Sequence, residues 1–141
     1  MTNNVMLTIR SRQCYVGQEP DVIELVTEGV SRAGKDGWHI SYEESDLTGL
    51  QGVTTTFRIQ PDKITLDRTG RLQSTMVFQE GVRHESLYQM EFGALMMAVT
   101  ARSIHCDVGA QGGEISITYG IEIEHNTAGT VEYRVLVKPI V

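Results

Sequence analysis

Cysteine is scarce in this chain: Cys14 and Cys106 are the only two among 141 residues, too few for a disulfide framework and at no spacing that metal ligands use. They read as ordinary thiols, and no metal or cofactor is expected. Proline is almost as rare, at Pro20, Pro61 and Pro139, so turns fall to the 14 glycines that recur between apolar runs. Positive charge is short as well. Against 18 aspartates and glutamates stand 12 lysines and arginines, and the net charge of −6 repels phosphate backbones and anionic lipid. Nucleic acid is therefore not an expected partner. No run of about 18 apolar residues occurs, and residues 1–13 lack a basic segment followed by an apolar one. The expectation is a soluble, cytoplasmic protein with no membrane partner.

What the chain has in abundance is alternation. A chain of this length fits one domain over residues 1–141, able to bury roughly 68–70% of the surface its unfolded form exposes. Residues 114–124 give the cleanest pattern, Ile115, Ile117, Tyr119, Ile121 and Ile123 against Glu114, Ser116, Thr118, Glu122 and Glu124, which requires one dry face and one wet face. The same period-two order sets Val5, Leu7 and Ile9 together, then Trp38, Ile40, Tyr42 and Glu44, then Val53, Thr55, Phe57 and Ile59. Ile64 and Leu66 follow, then Leu72, Ser74, Met76 and Phe78, and after residues 126–129 turn the chain, Val131, Tyr133, Val135 and Val137. Residues 84–90 are placed with His84, Ser86 and Tyr88 inward. Asp36-Gly37 supplies hairpin turn chemistry, and residues 46–52 form a longer rim loop.

Two segments carry apolar residues on both faces. In residues 21–33 Ile23 and Leu25 oppose Val22, Val26 and Val30, and in residues 93–108 Leu95, Met97 and Val99 oppose Ala94, Met96 and Ala98. A helix over residues 94–104 is the rival reading of the second, since Ala, Leu and Met favour it. As strands, both have outer faces that need a cover, and a twofold homodimer is the expected one. The total is about ten strands with no helical crossover, which points to an antiparallel up-and-down β-barrel whose closure removes exposed edges.

The residues Asp21-Val-Ile-Glu-Leu-Val-Thr-Glu-Gly29, Ile40-Ser-Tyr-Glu-Glu-Ser45, Thr54-Thr-Thr56, Met76-Val-Phe78 with Gly81 and Tyr88, and Gly113-Glu-Ile-Ser-Ile-Thr-Tyr119 together give the chain a resemblance. It resembles the YwiB-like family, small bacterial proteins of unknown function. That resemblance implies a calycin, or lipocalin-like, β-barrel and implies no activity. The family often has Thr-Pro-Tyr-Gly after the tyrosine, where this chain has Met90-Glu-Phe-Gly93. Features of better-known calycins are missing: Gly37 and Trp38 are adjacent rather than spaced as in secreted lipocalins, and Tyr133-Arg134 reverses the order used by fatty-acid carriers.

No constellation names a reaction. His39, His84, His105 and His125 never stand at i, i+2, the spacing that would put two on one strand face for a metal. Glu43 and Glu44 are neighbours and face apart, so they cannot act as one acid–base couple. If Glu44 points inward it needs a partner such as Arg58, Arg68 or Arg83. Thr54-Thr-Thr56 comes without a nucleophile elbow, and Gly109 to Gly113 precedes a strand rather than the helix of a phosphate cradle. Tyr42, Tyr88, Tyr119 and Tyr133 all fall on inner faces of different strands. The expected site is thus the lumen, with Tyr42, Glu44, Thr55, Phe57, Met76, His84, Tyr88 and Tyr119 holding a small amphipathic ligand without catalysis. The alternative is a dimeric structural or protein-interaction module.

Overall fold

The computed structural model describes residues 2–35, 37–46 and 49–140. Asp36 of the expected hairpin turn, and Leu47 and Thr48 of the expected rim loop, lie outside the described residues. Ten strands follow in chain order: β1 (Thr2–Tyr15), β2 (Asp21–Ala33), β3 (Trp38–Glu43), β4 (Val53–Ile59), β5 (Ile64–Gly70), β6 (Ser74–Phe78), β7 (Arg83–Met90), β8 (Gly93–Cys106), β9 (Gly113–Ile123) and β10 (Asn126–Pro139). All belong to one antiparallel sheet ordered β6-β5-β4-β3-β2-β1-β10-β9-β8-β7. β1 and β10 pair along their length, from Val5 opposite Pro139 to Tyr15 opposite Gly129. The outermost strands, β6 and β7, meet only near their ends. Gln73 and Gln89 exchange backbone hydrogen bonds of 2.9 and 2.8 Å, and Gln79 bridges Val82 across the connecting turn. No ladder joins the described residues between these points, so the sheet is a nearly closed barrel with one open seam.

Period-two alternation becomes burial strand by strand, since successive side chains leave opposite faces of the pleat. The β4 pattern is the simplest case: Val53, Thr55, Phe57 and Ile59 are buried and the residues between them half-buried. Register then aligns inner residues into rows. Trp38, Ile59, Ile64 and Phe78 are cross-strand partners on β3 to β6, as are Ile40, Phe57, Leu66 and Met76 in the next row. With the β9 and β10 side chains Ile115, Ile117, Val135 and Val137 they form the apolar core. Tyr88 faces in as expected, half-buried, while its neighbour Leu87 is exposed.

The rival helix over residues 94–104 does not form. β8 is a strand, and a bulge between Ala101 and Ser103 changes its phase: Met97, Val99 and Ala101 are buried before it, and Ile104 and Cys106 pack against the core after it. The opposed residues 94–99 all precede the bulge, so there the strand does carry apolar residues on both faces. On the outer face Ala98 is only 3% exposed. It lies between Glu85 and Glu122 in the ladders, and Arg83 forms ion pairs with both carboxylates, so the chain covers this spot itself. β2 has no such cover: Val22, Val26 and Val30 are exposed.

The last turn also differs from expectation. It is made by Glu124 and His125, with φ of 51° and 68°, the two left-handed positions that a two-residue hairpin of the right twist requires. Residues 126–129, expected to turn, instead enter β10, where an irregularity between Thr127 and Gly129 takes up the odd residue. Glycine is required at 129, because a Cβ there would lie 2.3 Å from the Cys14 carbonyl oxygen. No helix of the described residues is long and apolar enough to cross a membrane.

Candidate functional site

Above the two apolar rows the register builds a polar one. Tyr42, Thr55, Arg68 and Ser74 are successive cross-strand partners on β3, β4, β5 and β6, all on the inner face. The Glu44 amide donates to the Val53 carbonyl at 2.9 Å, which carries the hairpin one residue past β3 and keeps the Glu44 side chain turned in. Its carboxylate is 2% exposed and accepts the Thr55 hydroxyl proton at 2.6 Å, and Tyr42 hydrogen-bonds it as well. Arg68 lies 4.0 Å from Glu44, close enough for charge attraction and too far for a hydrogen bond.

Behind this row the Tyr42 and Tyr133 hydroxyls are 3.5 Å apart, and Phe57 packs against both rings at centroid distances of 6.4 and 5.9 Å. Burial, then Tyr133 and Glu44, raise the Tyr42 phenol well above its ordinary pKa. Burial and the neighbouring Tyr133 raise Tyr119, with Arg68 opposing them. For Arg68 burial disfavours the charge, but Tyr133, Tyr42, Glu44 and Tyr119 together outweigh it, so the guanidinium stays protonated.

These phenols make an alkaline prediction. A folded pKa raised above the unfolded value near 10 contributes stability that is fully present below pH 10 and is lost as pH rises from there toward the folded value. Each deeply buried phenol should remove about 1.4 kcal/mol per pH unit over that window. Urea midpoints at pH 9, 10 and 11, read beside phenolate absorbance, check it, and a midpoint unchanged to pH 11 would contradict it.

The polar row opens into a cleft of about 100 Å³ at the mouth that bears the β1–β2 and β3–β4 connections. Its walls are apolar at Ile9, Ile23, Leu25 and Leu50 and polar at Ser11, Gln13, Tyr42, Glu44, Arg68 and Tyr133. Of the eight expected lumen residues, Tyr42 and Glu44 line it. Thr55 is buried beside Glu44 and Tyr119 is buried against Phe78, whereas Phe57 and Met76 lie in the packed core and line no described cavity of the lumen. His84 sits by the β6–β7 turn at the other mouth, bonded to Gln79 at 3.2 Å, and Tyr88 is half-buried on β7. The eight residues expected around one small cavity are thus not brought together: large side chains meet across the barrel, Phe57 with Tyr133 and Phe78 with Tyr119, and separate the two mouths. A larger groove of about 450 Å³ at the opposite mouth includes Ile104, Cys106 and Val108, with Asp62 and Glu80 exposed and Lys63 half-buried at its edge. Among the described residues no group of three or more His, Cys, Asp or Glu side chains is placed to hold a metal ion.

Arg68 was expected only as one of three possible partners for Glu44 and not as a lumen residue, yet the signal for an inward position was present. Ile64 and Leu66 face in, and the same period brings in Arg68. Tyr15 is missed for the same reason, two residues beyond Gln13 on the inner face of β1.

Fold and site together define a ten-stranded antiparallel barrel with a packed apolar body and a charged cleft at one mouth. Residues 7–135 match a family described as a domain of unknown function (DUF1934), and the chain belongs to that family. It is 30% identical over 117 residues, 80% of this chain and 81% of the relative, to the uncharacterized β-barrel protein YwiB of Bacillus subtilis (strain 168). The fold is similar to the crystal structure of ywiB protein from Bacillus subtilis, with a TM-score of 0.88 over 99% of this chain and 94% of that one, at 21% identity.

Proposed function

We propose that the protein is a small-molecule-binding barrel that takes an amphipathic ligand at the Arg68 mouth and performs no chemistry on it. The observation that carries this reading is the cleft itself, where four apolar side chains converge with Arg68, whose buried Nε has no hydrogen-bond partner. Mostly apolar walls with a few fixed polar groups are how ligand pockets are built. At about 100 Å³ the space is below the roughly 300–1,000 Å³ of drug-sized sites, so the ligand is small or stands partly out of the mouth. A reaction finds no support in the two acid–base candidates, since Glu44 and His84 are at opposite mouths. A cytoplasmic setting, in keeping with two free thiols, is part of the proposal.

The test is a thermal-shift and NMR screen of fragments of about ten or fewer heavy atoms, on the natural protein and on Ile23→Trp, which fills the cleft. Ligands present at about 100 times their Kd should add about 2.7 kcal/mol to the natural protein and nothing to the variant. A screen in which no fragment moves either protein, or in which both respond alike, overturns the reading.

A second reading is favoured by the outer face of β2, where Val22 is 43% and Val26 65% exposed. Self-association of two copies through this face would cover them, and a monomer by sedimentation at micromolar concentration would remove it.

A further inference from the structure

We infer that the ligand of the mouth cleft carries a carboxylate and that Arg68 and Ser74 receive it; this deepens the binding reading above and rests on it. Among the described residues, two buried side-chain polar atoms have no hydrogen-bond partner, the Arg68 Nε and the Ser74 Oγ. They belong to cross-strand partners on β5 and β6, Arg68 lining the mouth cleft and both residues lining the seam gap next to it, so they are neighbours in one ladder rather than scattered defects. Both are donors: the guanidinium N–H can only donate, and the hydroxyl has a proton to give. What the pair lacks is an acceptor, and a buried donor without one is costly enough that native proteins seldom leave it so.

The neighbouring acceptor does not fill that role. Glu44 is occupied by the Thr55 hydroxyl and by Tyr42, and it stands 4.0 Å from Arg68. The Arg68 Nε–H is left open, and a carboxylate can accept it together with a neighbouring guanidinium N–H in parallel. A single negative charge suits the place better than two, because a second charge would sit beside the Glu44 carboxylate in a site screened from water. Arg68 lines two spaces at once, the mouth cleft and a gap of about 300 Å³ along the β6–β7 seam that Ser74, Ser86 and Leu87 also line. The seam is where β6 and β7 lack a ladder, so the anion site lies beside the one break in the barrel wall. The cleft holds the volume of about three waters, which fits a carboxylate and its first carbons against Ile23 and Leu25.

Calorimetric titration with butyrate, butyramide, butan-1-ol and inorganic phosphate tests this. Butyrate should bind and the two uncharged analogues should bind at least about tenfold more weakly. Ser74→Ala should weaken butyrate about fivefold while the urea midpoint stays unchanged or rises, since the hydroxyl it removes has no partner in the free protein. Arg68→Met should abolish binding. If that variant does not fold, Arg68→Lys, which keeps the charge and loses the fork, should weaken butyrate at least fivefold. Equal binding of butyramide and butyrate, tighter binding of phosphate, or a Ser74→Ala protein that binds butyrate normally would overturn the carboxylate inference. Fragments that occupy the cleft while butyrate does not would defeat this inference alone. Absence of any bound fragment or probe, leaving ordered water at Arg68, would defeat the binding reading beneath it.

Discussion

Replacing Glu44 with alanine is expected to cost about 3–5 kcal/mol of folding stability, although the residue follows the last residue of β3 and borders a loop. Two losses add. The Thr55 hydroxyl, fully buried, loses its acceptor at 2.6 Å, and the Arg68 charge is left without its carboxylate in an interior that keeps it protonated. The double substitution Glu44→Leu with Arg68→Met should recover much of that cost, because removing both charges removes the desolvation penalty along with the attraction. Urea unfolding of the two single variants and the double variant measures the coupling. If the double variant is as unstable as the sum of the singles, the two side chains are energetically independent and the ion pair is an accident of proximity.

Phe57→Ala is the other substitution expected to be severe, at about 3–5 kcal/mol. Phe57 is fully buried in the second apolar row and is wedged between Tyr42 and Tyr133, so its removal leaves a void beneath the mouth cleft and loosens both phenols. The control is Phe92, 94% exposed at the β7–β8 turn, where alanine should change stability by less than about 0.5 kcal/mol. Denaturation of the pair decides whether aromatic content or aromatic position sets stability, and equal losses would contradict this account of the core. Because the void borders the site, Phe57→Ala should also accept fragments too large for the natural cleft.

Much of the barrel was legible because its signal is local. A strand with one dry face writes its period directly into the sequence, and Glu114 to Ile123 did so without ambiguity. Cover from neighbouring strands is less visible. The two-faced run around Met97 looked like a strand needing an outside partner or a helix, yet Ala98 on its outer face is covered by Arg83, Glu85 and Glu122 of the strands on either side. The turn at Glu124-His125 was misplaced because neither residue is glycine, and turn chemistry drew attention to the later Asn126 and Gly129 instead. For the site, Tyr42 and Glu44 followed from alternation. Arg68 required accepting a charged residue on an inner face, which composition argues against and which only the neighbouring carboxylate and phenols justify. The filling of the lumen depends on how far side chains reach across the barrel, and strand periodicity holds no information about that distance.

The order of strands in the sheet has a consequence for how the barrel assembles. Every ladder but one joins strands that are consecutive in the chain, so each can form as a hairpin with a short connection. The exception is the long pairing of β1 with β10, which brings Val5 to Pro139 across almost the whole sequence. The entropy of closing a long chain segment is concentrated in that single step, since cost grows with the logarithm of loop length. Until that pairing forms, β1 to β6 and β7 to β10 are two separate meanders, because no ladder joins β6 to β7 among the described residues, and β1 and β10 are both bare edges. The rate at which the first and last strands find each other sets how long those two edges remain available to other chains.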